Sequence, residues 1–178
     1  DGEGFARVEP GCWYRDFEKE TLKHDLLLPS FPASREICTV GGMAANNSGG
    51  EKSLQYGKTE RYIKRLKVVL ADGNEYVFFP FSRSELEEKM RLSTFEGEIY
   101  RNMWAIIQKN EGMLQRAKPK VSKNSAGYAL WNVWNKETDT FDLTQLFCGS
   151  QGTLGIITEI TFGLVAPKPY SSLRVMFL

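Results

Sequence analysis

Leu66, Val68 and Leu70 alternate with Lys67, Val69 and Ala71, and a period of two lays every second side chain on one face of a strand. Asp72-Gly73 supplies the residues of a tight turn and Tyr76-Val77-Phe78-Phe79 resumes the apolar run, so this stretch predicts a β-hairpin. Leu154, Ile156, Thr158, Ile160, Phe162 and Leu164 hold alternate positions, which predicts a long strand with one largely apolar face, ended by Pro167 and Pro169. Phe5-Ala-Arg-Val8 begins as a strand would, and Ser172 to Leu178 reads as the start of another. Elsewhere the spacing is helical. Trp13, Phe17 and Leu22 recur among charged residues up to the Pro29-Ser-Phe-Pro32 cluster, predicting a short surface helix. Between Ser84 and Gln115, residues Ile99, Met103, Ile106, Ile107 and Leu114 fall on one helical face, better suited to core contacts than to a partner groove. Asp142 is placed to cap a short helix through Leu146. Hairpins beside separate helices predict an α+β fold.

The 178 residues are 42% hydrophobic, enough for the core of about one domain. The 23 Lys+Arg nearly cancel the 22 Asp+Glu, and the net charge of +1 leaves no electrostatic footprint for nucleic acid or an acidic membrane. No run approaches the roughly 18 apolar residues of a transmembrane segment. The opening Asp1-Gly-Glu-Gly has no initiator Met and no export signal, which suggests an excised piece, with the cytoplasm as default placement. Cys12, Cys38 and Cys148 lie far apart without a C-x-x-C pair, so reduced, buried thiols are expected, and neither a disulfide framework nor a metal site.

Candidate chemistry concentrates in two glycine-rich segments. Five of the 16 glycines lie between 41 and 57, around Ala44-Ala45-Asn46-Asn47-Ser48, and Gly149-x-x-Gly152-x-x-Gly155 forms the second. Missing Cβ atoms let backbone N–H groups approach phosphate oxygens or a flat ring, although each loop taken singly fits a structural turn as well. Neither matches a P-loop or a G-x-G-x-x-G fingerprint. Asn46, Asn47 and Ser48 offer neutral donors to a pyrophosphate; they also satisfy the N-glycosylation pattern, a poorer reading inside a glycine loop.

Pro32 to Gly50, then Tyr56-Gly57 and Leu66 to Gly73, resemble the FAD-binding domain of PCMH-type flavoproteins of the vanillyl-alcohol oxidase superfamily. The D-lactate dehydrogenase, glycolate oxidase and D-2-hydroxyglutarate dehydrogenase branch is the most similar. Lys123-Asn-Ser-Ala-Gly-Tyr128 and Gly149-Ser-Gln-Gly-Thr-Leu-Gly-Ile-Ile-Thr158 look like that branch's later signatures, in the same order. The resemblance implies FAD held between two α+β subdomains, with residues 1–178 forming the second, an antiparallel sheet flanked by helices. A first glycine-rich subdomain and a C-terminal cap would lie outside this chain. It further implies that Ala33, Ser34, Arg35, Glu36, Ile37, Cys38 and Thr39, with Asn46, Asn47, Ser48 and Gly49, line the flavin and pyrophosphate. Gln151, Gly152, Thr153, Leu154, Gly155, Ile156 and Ile157 would line the remaining cofactor surface, and Gly41 and Gly42 would permit close approach. Two departures stand out: Gln151 replaces a usual acidic residue, and a helical insertion occupies about 80–122.

The implied activity is oxidation of a small-molecule 2-hydroxy acid, such as D-lactate, glycolate or D-2-hydroxyglutarate, by hydride transfer to flavin. Its catalytic base would sit in the cap, so no catalytic residue is assigned here. The alternative is a non-catalytic nucleotide-binding or assembly module. His24, the single histidine, has no partners for a triad or metal site and reads as a surface residue. Tyr128, Trp131 and Trp134 fit packing better than ring stacking.

Overall fold

The computed structural model describes residues 3–121, 124–170, 172 and 174–176. In chain order the elements are β1 (Glu3–Val8), α1 (Tyr14–Leu22), α2 (Val40–Ala45), α3 (Ser53–Tyr56), β2 (Ile63–Val69), β3 (Glu75–Phe78), β4 (Phe81–Ser82), α4 (Arg83–Arg91), α5 (Phe95–Ala117), β5 (Trp134–Asn135), β6 (Thr140–Phe141), α6 (Thr144–Phe147) and β7 (Ile156–Val165). Short 3-10 turns lie at Thr59–Arg61 and Leu130–Asn132. Four strands form an antiparallel sheet in the order β1-β7-β2-β3, and three short ones form a second in the order β4-β6-β5. The fold is therefore α+β, an antiparallel sheet with helices packed against it. Of the strand expected over Ser172 to Leu178, part lies outside the described residues, and none of the described part is in a strand.

The hairpin forms where the alternation places it. Leu66 and Val68 are fully buried, and Gly73, at φ +81°, closes the turn by donating to the Leu70 carbonyl at 3.0 Å. Asp72 Oδ1 accepts from the Asn74 amide at 3.1 Å and fixes the loop. In β7 the inward set Ile160, Phe162 and Leu164 holds, but Ile156 is 71% exposed, against expectation. The register explains it: Lys67 pairs with Glu159 and Val68 with Ile157, so Thr158 is an extra residue and every side chain before it changes face.

Helix α1 also buries a different stripe from the one expected. Tyr14, Phe17 and Thr21 point inward, whereas Trp13 and Leu22 are exposed. Trp13 precedes the helix in extended conformation and bridges Thr39, and the Tyr14 hydroxyl donates to the Leu28 carbonyl at 2.9 Å. The 84–115 segment is two helices. The Ser82/Glu85 capping box starts α4, and Thr94 Oγ1 starts α5 by accepting from the Gly97 amide at 3.3 Å. A side chain at position 97 would run into the Leu92 carbonyl, so glycine lets α5 fold back on the end of α4. Tyr100 and Ile107 are the deeply buried residues of α5, Ile99, Met103 and Leu114 pack partly buried against the core, and Ile106 is exposed, contrary to expectation. Asp142 acts as expected, its Oδ1 accepting from the Thr144 amide at 2.9 Å at the start of α6. Rings tie these parts together: Phe78 meets Phe147 at 4.7 Å, and Tyr100 meets Phe81 at 5.4 Å and Phe141 at 6.2 Å.

Candidate functional site

Thr39 sets the first part of the site. It is extended, and its Oγ1 accepts from the Gly42 amide at 3.2 Å, so the chain turns directly into α2. Gly41 and Gly42 therefore lie in the first turn of a short helix and not in a loop. The Gly41 amide donates to the Pro10 carbonyl at 2.9 Å, and a Cβ there would strike Pro10, so the close approach that Gly41 permits is to the chain itself. Gly42 is exposed, with only Thr39 Oγ1 within reach of an added Cβ.

The two glycine segments meet at the other end of α2. Its last carbonyls receive the amides of the second segment: Gly149 donates at 3.0 Å to Ala44, which also accepts from Asn47 at 3.1 Å, and Gln151 donates to Ala45 at 2.8 Å. Asn47, Gly149, Gln151 and Gly152 all adopt positive φ to make this junction. One continuous surface results.

Within it the three neutral donors separate. Asn47 is buried and committed to Glu60, its Nδ2 donating to Glu60 Oε2 at 2.5 Å and its Oδ1 accepting from the Glu60 amide at 3.1 Å. Ser48 is buried as well, its carbonyl accepting from the Thr59 amide at 2.9 Å and from Thr59 Oγ1 at 2.8 Å. Only Asn46 of the three stands exposed. Asn47 and Ser48 thus lie behind the exposed surface, with Ser48 Oγ accepting from Asn46 Nδ2 at 3.4 Å. Gly49 is half-buried, and a Cβ there would press on Ser53 Oγ at 2.5 Å.

Residues 33–37 form an exposed turn held by Arg35 N to the Pro32 carbonyl (3.1 Å) and Ile37 N to the Ser34 carbonyl (2.9 Å). Ala33, Ser34, Glu36 and Ile37 are open to solvent. Arg35 lies over the Phe31 ring at 4.8 Å, and Glu36 pairs with Arg15 from α1, whose guanidinium holds the carboxyl below the usual range. Cys38 is partly buried, and burial pushes its thiol up; Cys148 is buried and pushed up more strongly.

On the second segment Gln151, Gly152 and Thr153 are exposed. Gly152 sits at φ +80° with nothing within 4 Å of an added Cβ, so its open face admits a ligand. Leu154 and Ile157 are partly buried in the core. A side chain at Gly155 would press on Val68 Cγ1 at 2.6 Å and the Val69 carbonyl at 2.8 Å, which makes that glycine a packing requirement of β2. Ile156 faces solvent through the register change described above.

A third segment joins the first two. Thr153 Oγ1 donates to the Ser150 carbonyl at 2.6 Å and meets the Tyr128 hydroxyl at 2.8 Å, so Tyr128 is the donor of that pair. Asn124 makes an Asx-type turn with the Ala126 amide (3.2 Å), and Gly127 follows at φ +69°. Lys123, first residue of that motif, lies outside the described residues. Beneath the segment is Lys58, which sequence reasoning missed. It is 4% exposed, and its Nζ bonds to the Asn124 carbonyl and to Ser125 Oγ at 2.8 Å. Its one sequence signal is its place next to Tyr56-Gly57, which does not reveal burial. A cleft of about 580 Å³ opens here, with Asn47, Lys58, Asn124, Ser125 and Gly149 in its lining. His24 is exposed beyond α1, and Trp134 packs on Trp104 at 5.0 Å. Among the described residues no helix is long and apolar enough to cross a membrane.

The exposed Asn46 at the end of α2 and the bare face of Gly152, on the segment that Gln151 ties to Ala45, suit a ligand carrying phosphates and a flat ring, contacted from one side. A family model described as an FAD binding domain matches residues 1–78. Over that stretch the chain is similar to the FAD binding domain family, and the likeness supports FAD as its cofactor. The chain is 34% identical over 131 residues to the D-2-hydroxyglutarate dehydrogenase of Pantoea ananatis, covering 74% of this chain and 13% of that protein. It is 31% identical to glycolate oxidase subunit GlcD of Bacillus subtilis, over 97% of this chain and 26% of that protein. With the D-lactate dehydrogenase of Anaerostipes hadrus it shares 30% identity over 99% of this chain and 26% of that protein. The chain thus spans between 13% and 26% of the length of these relatives. Alkyldihydroxyacetonephosphate synthase shares the fold, with a TM-score of 0.51 and 22% identity over 91% of this chain and 19% of that structure.

Proposed function

We infer that this chain supplies one wall of the FAD site in a flavin-dependent dehydrogenase or oxidase that takes hydride from a 2-hydroxy acid. The observation that carries the reading is the junction of α2 with the second glycine segment, where the Gly149 and Gln151 amides cap Ala44 and Ala45. That junction turns two motifs about a hundred residues apart in sequence into one exposed, glycine-faced surface. The names of the relatives support the substrate class: D-2-hydroxyglutarate, D-lactate and glycolate are all 2-hydroxy acids.

In this reading the exposed turn Ala33 to Ile37, with Cys38, Thr39, Asn46 and Gly49, lies along flavin and pyrophosphate. Gln151 to Ile157 contribute the remaining wall, with Gly152 and Thr153 nearest the ligand. Asn47 and Ser48 hold that wall through Glu60 and Thr59. Gln151 presents a neutral amide, so it hydrogen-bonds without adding negative charge beside the cofactor. Held there, FAD would supply the redox chemistry as the hydride acceptor for a 2-hydroxy acid. The chain forms the second α+β subdomain of the cofactor domain, with residues 80–122 as an insertion. The first subdomain and the cap that carries the base belong to other parts of the full-length protein.

Anaerobic mixing of the flavin-loaded full-length protein with D-2-hydroxyglutarate, D-lactate and glycolate tests the activity. At least one should bleach the flavin's visible absorbance. A bound flavin that none of them reduces would remove the substrate class and favour a nucleotide-binding module without catalysis.

A further inference from the structure

An ammonium group withdrawn from water persists only when hydrogen bonds replace its hydration, so a lysine at 4% exposure marks a position where its partners matter. Lys58 reaches from the short loop between α3 and the Thr59–Arg61 turn to a segment 66 residues further along the chain, where Nζ bonds to the Asn124 carbonyl and Ser125 Oγ. Its stem passes close to Gly49, where an added Cβ would lie 3.1 Å from Lys58 Cγ. The next residue, Thr59, is anchored to the Ser48 carbonyl through both its amide and its hydroxyl. Lys58 thus stands on the back of the first glycine segment and grips 124–125. Beyond the grip, Gly127 turns the chain and Tyr128 donates to Thr153 on the second glycine segment.

We propose that Lys58 is a positioning residue that clamps residues 124–128 across the two glycine segments and thereby sets the shape of the cofactor wall. The proposal rests on the FAD reading above but makes a claim of its own, that one buried cation couples three separate segments. Without the clamp, 124–128 keeps its Asx-type turn, but the segment that carries Tyr128 loosens and Thr153 loses the donor that orients it. Lys58→Met keeps the length of the stem and removes the charge. Lys58→Arg keeps the charge and the donors.

The test compares the full-length protein with its K58M and K58R variants in two measurements: backbone amide exchange without flavin, and affinity for FAD. In K58M, exchange across 124–128 should rise about tenfold with β2 and β7 unchanged, and FAD affinity should fall about tenfold; K58R should recover most of both. Unchanged exchange at 124–128 in K58M overturns the clamp, as does an equal rise in β2 and β7, which would make Lys58 a general stability residue. Faster exchange at 124–128 with unaltered FAD affinity overturns its role in the cofactor wall. Should the unmodified protein ignore FAD, the cofactor reading falls, and with it that role, while the exchange data still decide the clamp.

Discussion

Glu36 and Arg15 join the exposed 33–37 turn to α1, and the pair gives a pH dependence with a definite sign. Hydrogen bonding to Arg15 lowers the Glu36 pKa from its ordinary value. Its contribution is complete above the ordinary glutamate range and disappears as pH falls through that range to the lowered value. Carboxyl NMR titration should find Glu36 below the ordinary glutamate value, and Arg15→Ala should return it towards that value; a Glu36 that titrates normally in the unmodified protein would refute the pairing. The glycines divide just as sharply. Gly155→Ala forces a methyl against Val68 and the Val69 carbonyl and should cost roughly 1–3 kcal/mol in denaturant unfolding. Gly152→Ala meets no neighbour, and its cost of about 1 kcal/mol comes from φ +80° alone. Spacing in the sequence could not separate these two glycines, because the difference lies in what a distant strand brings against each. The same holds for Asn47: an Asn-Asn-Ser run announces donors, but only folding shows that Glu60 takes those of Asn47.

At the scale of elements, local chemistry carried further. The Leu66 to Phe79 hairpin and the cap at Asp142 follow from residues adjacent in sequence, and both form as expected. The break between α4 and α5 is equally local, written in Ser82, Glu85, Thr94 and Gly97, but a single apolar stripe over 84–115 conceals it. Thr94→Ala should cost about 1 kcal/mol through loss of the α5 cap. Gly97→Ala should cost more than Thr94→Ala, because the Leu92 carbonyl must move as well; a smaller loss by thermal or denaturant melting would contradict the fold-back of α5 on α4. The exposed Ile156 was illegible for a different reason. A bulge at Thr158 reverses the facing of one strand relative to its own alternation, and that bulge is defined by pairing with Lys67 and Val68 in β2.

For the molecule as a whole, the decisive contacts are those that fasten the 80–122 region and the glycine segments to one sheet. Phe78 from β3, Tyr100 from α5, Phe141 from β6 and Phe147 from α6 share an aromatic seam, and truncating the fully buried ring with Tyr100→Ala should cost about 3–5 kcal/mol. Ordered motifs made the cofactor legible from sequence, since four of them recur in one order. Their joining through the end of α2 was not legible, because backbone amides donating to carbonyls leave no trace in residue identity. The central claim is that this joined surface is one wall of an FAD site, and the most direct measurement is titration of the flavin-free full-length protein with FAD, followed by the flavin's visible spectrum. A saturable, one-to-one perturbation of that spectrum is the predicted result, whereas a protein that leaves the spectrum of free FAD unchanged at every concentration would contradict the account.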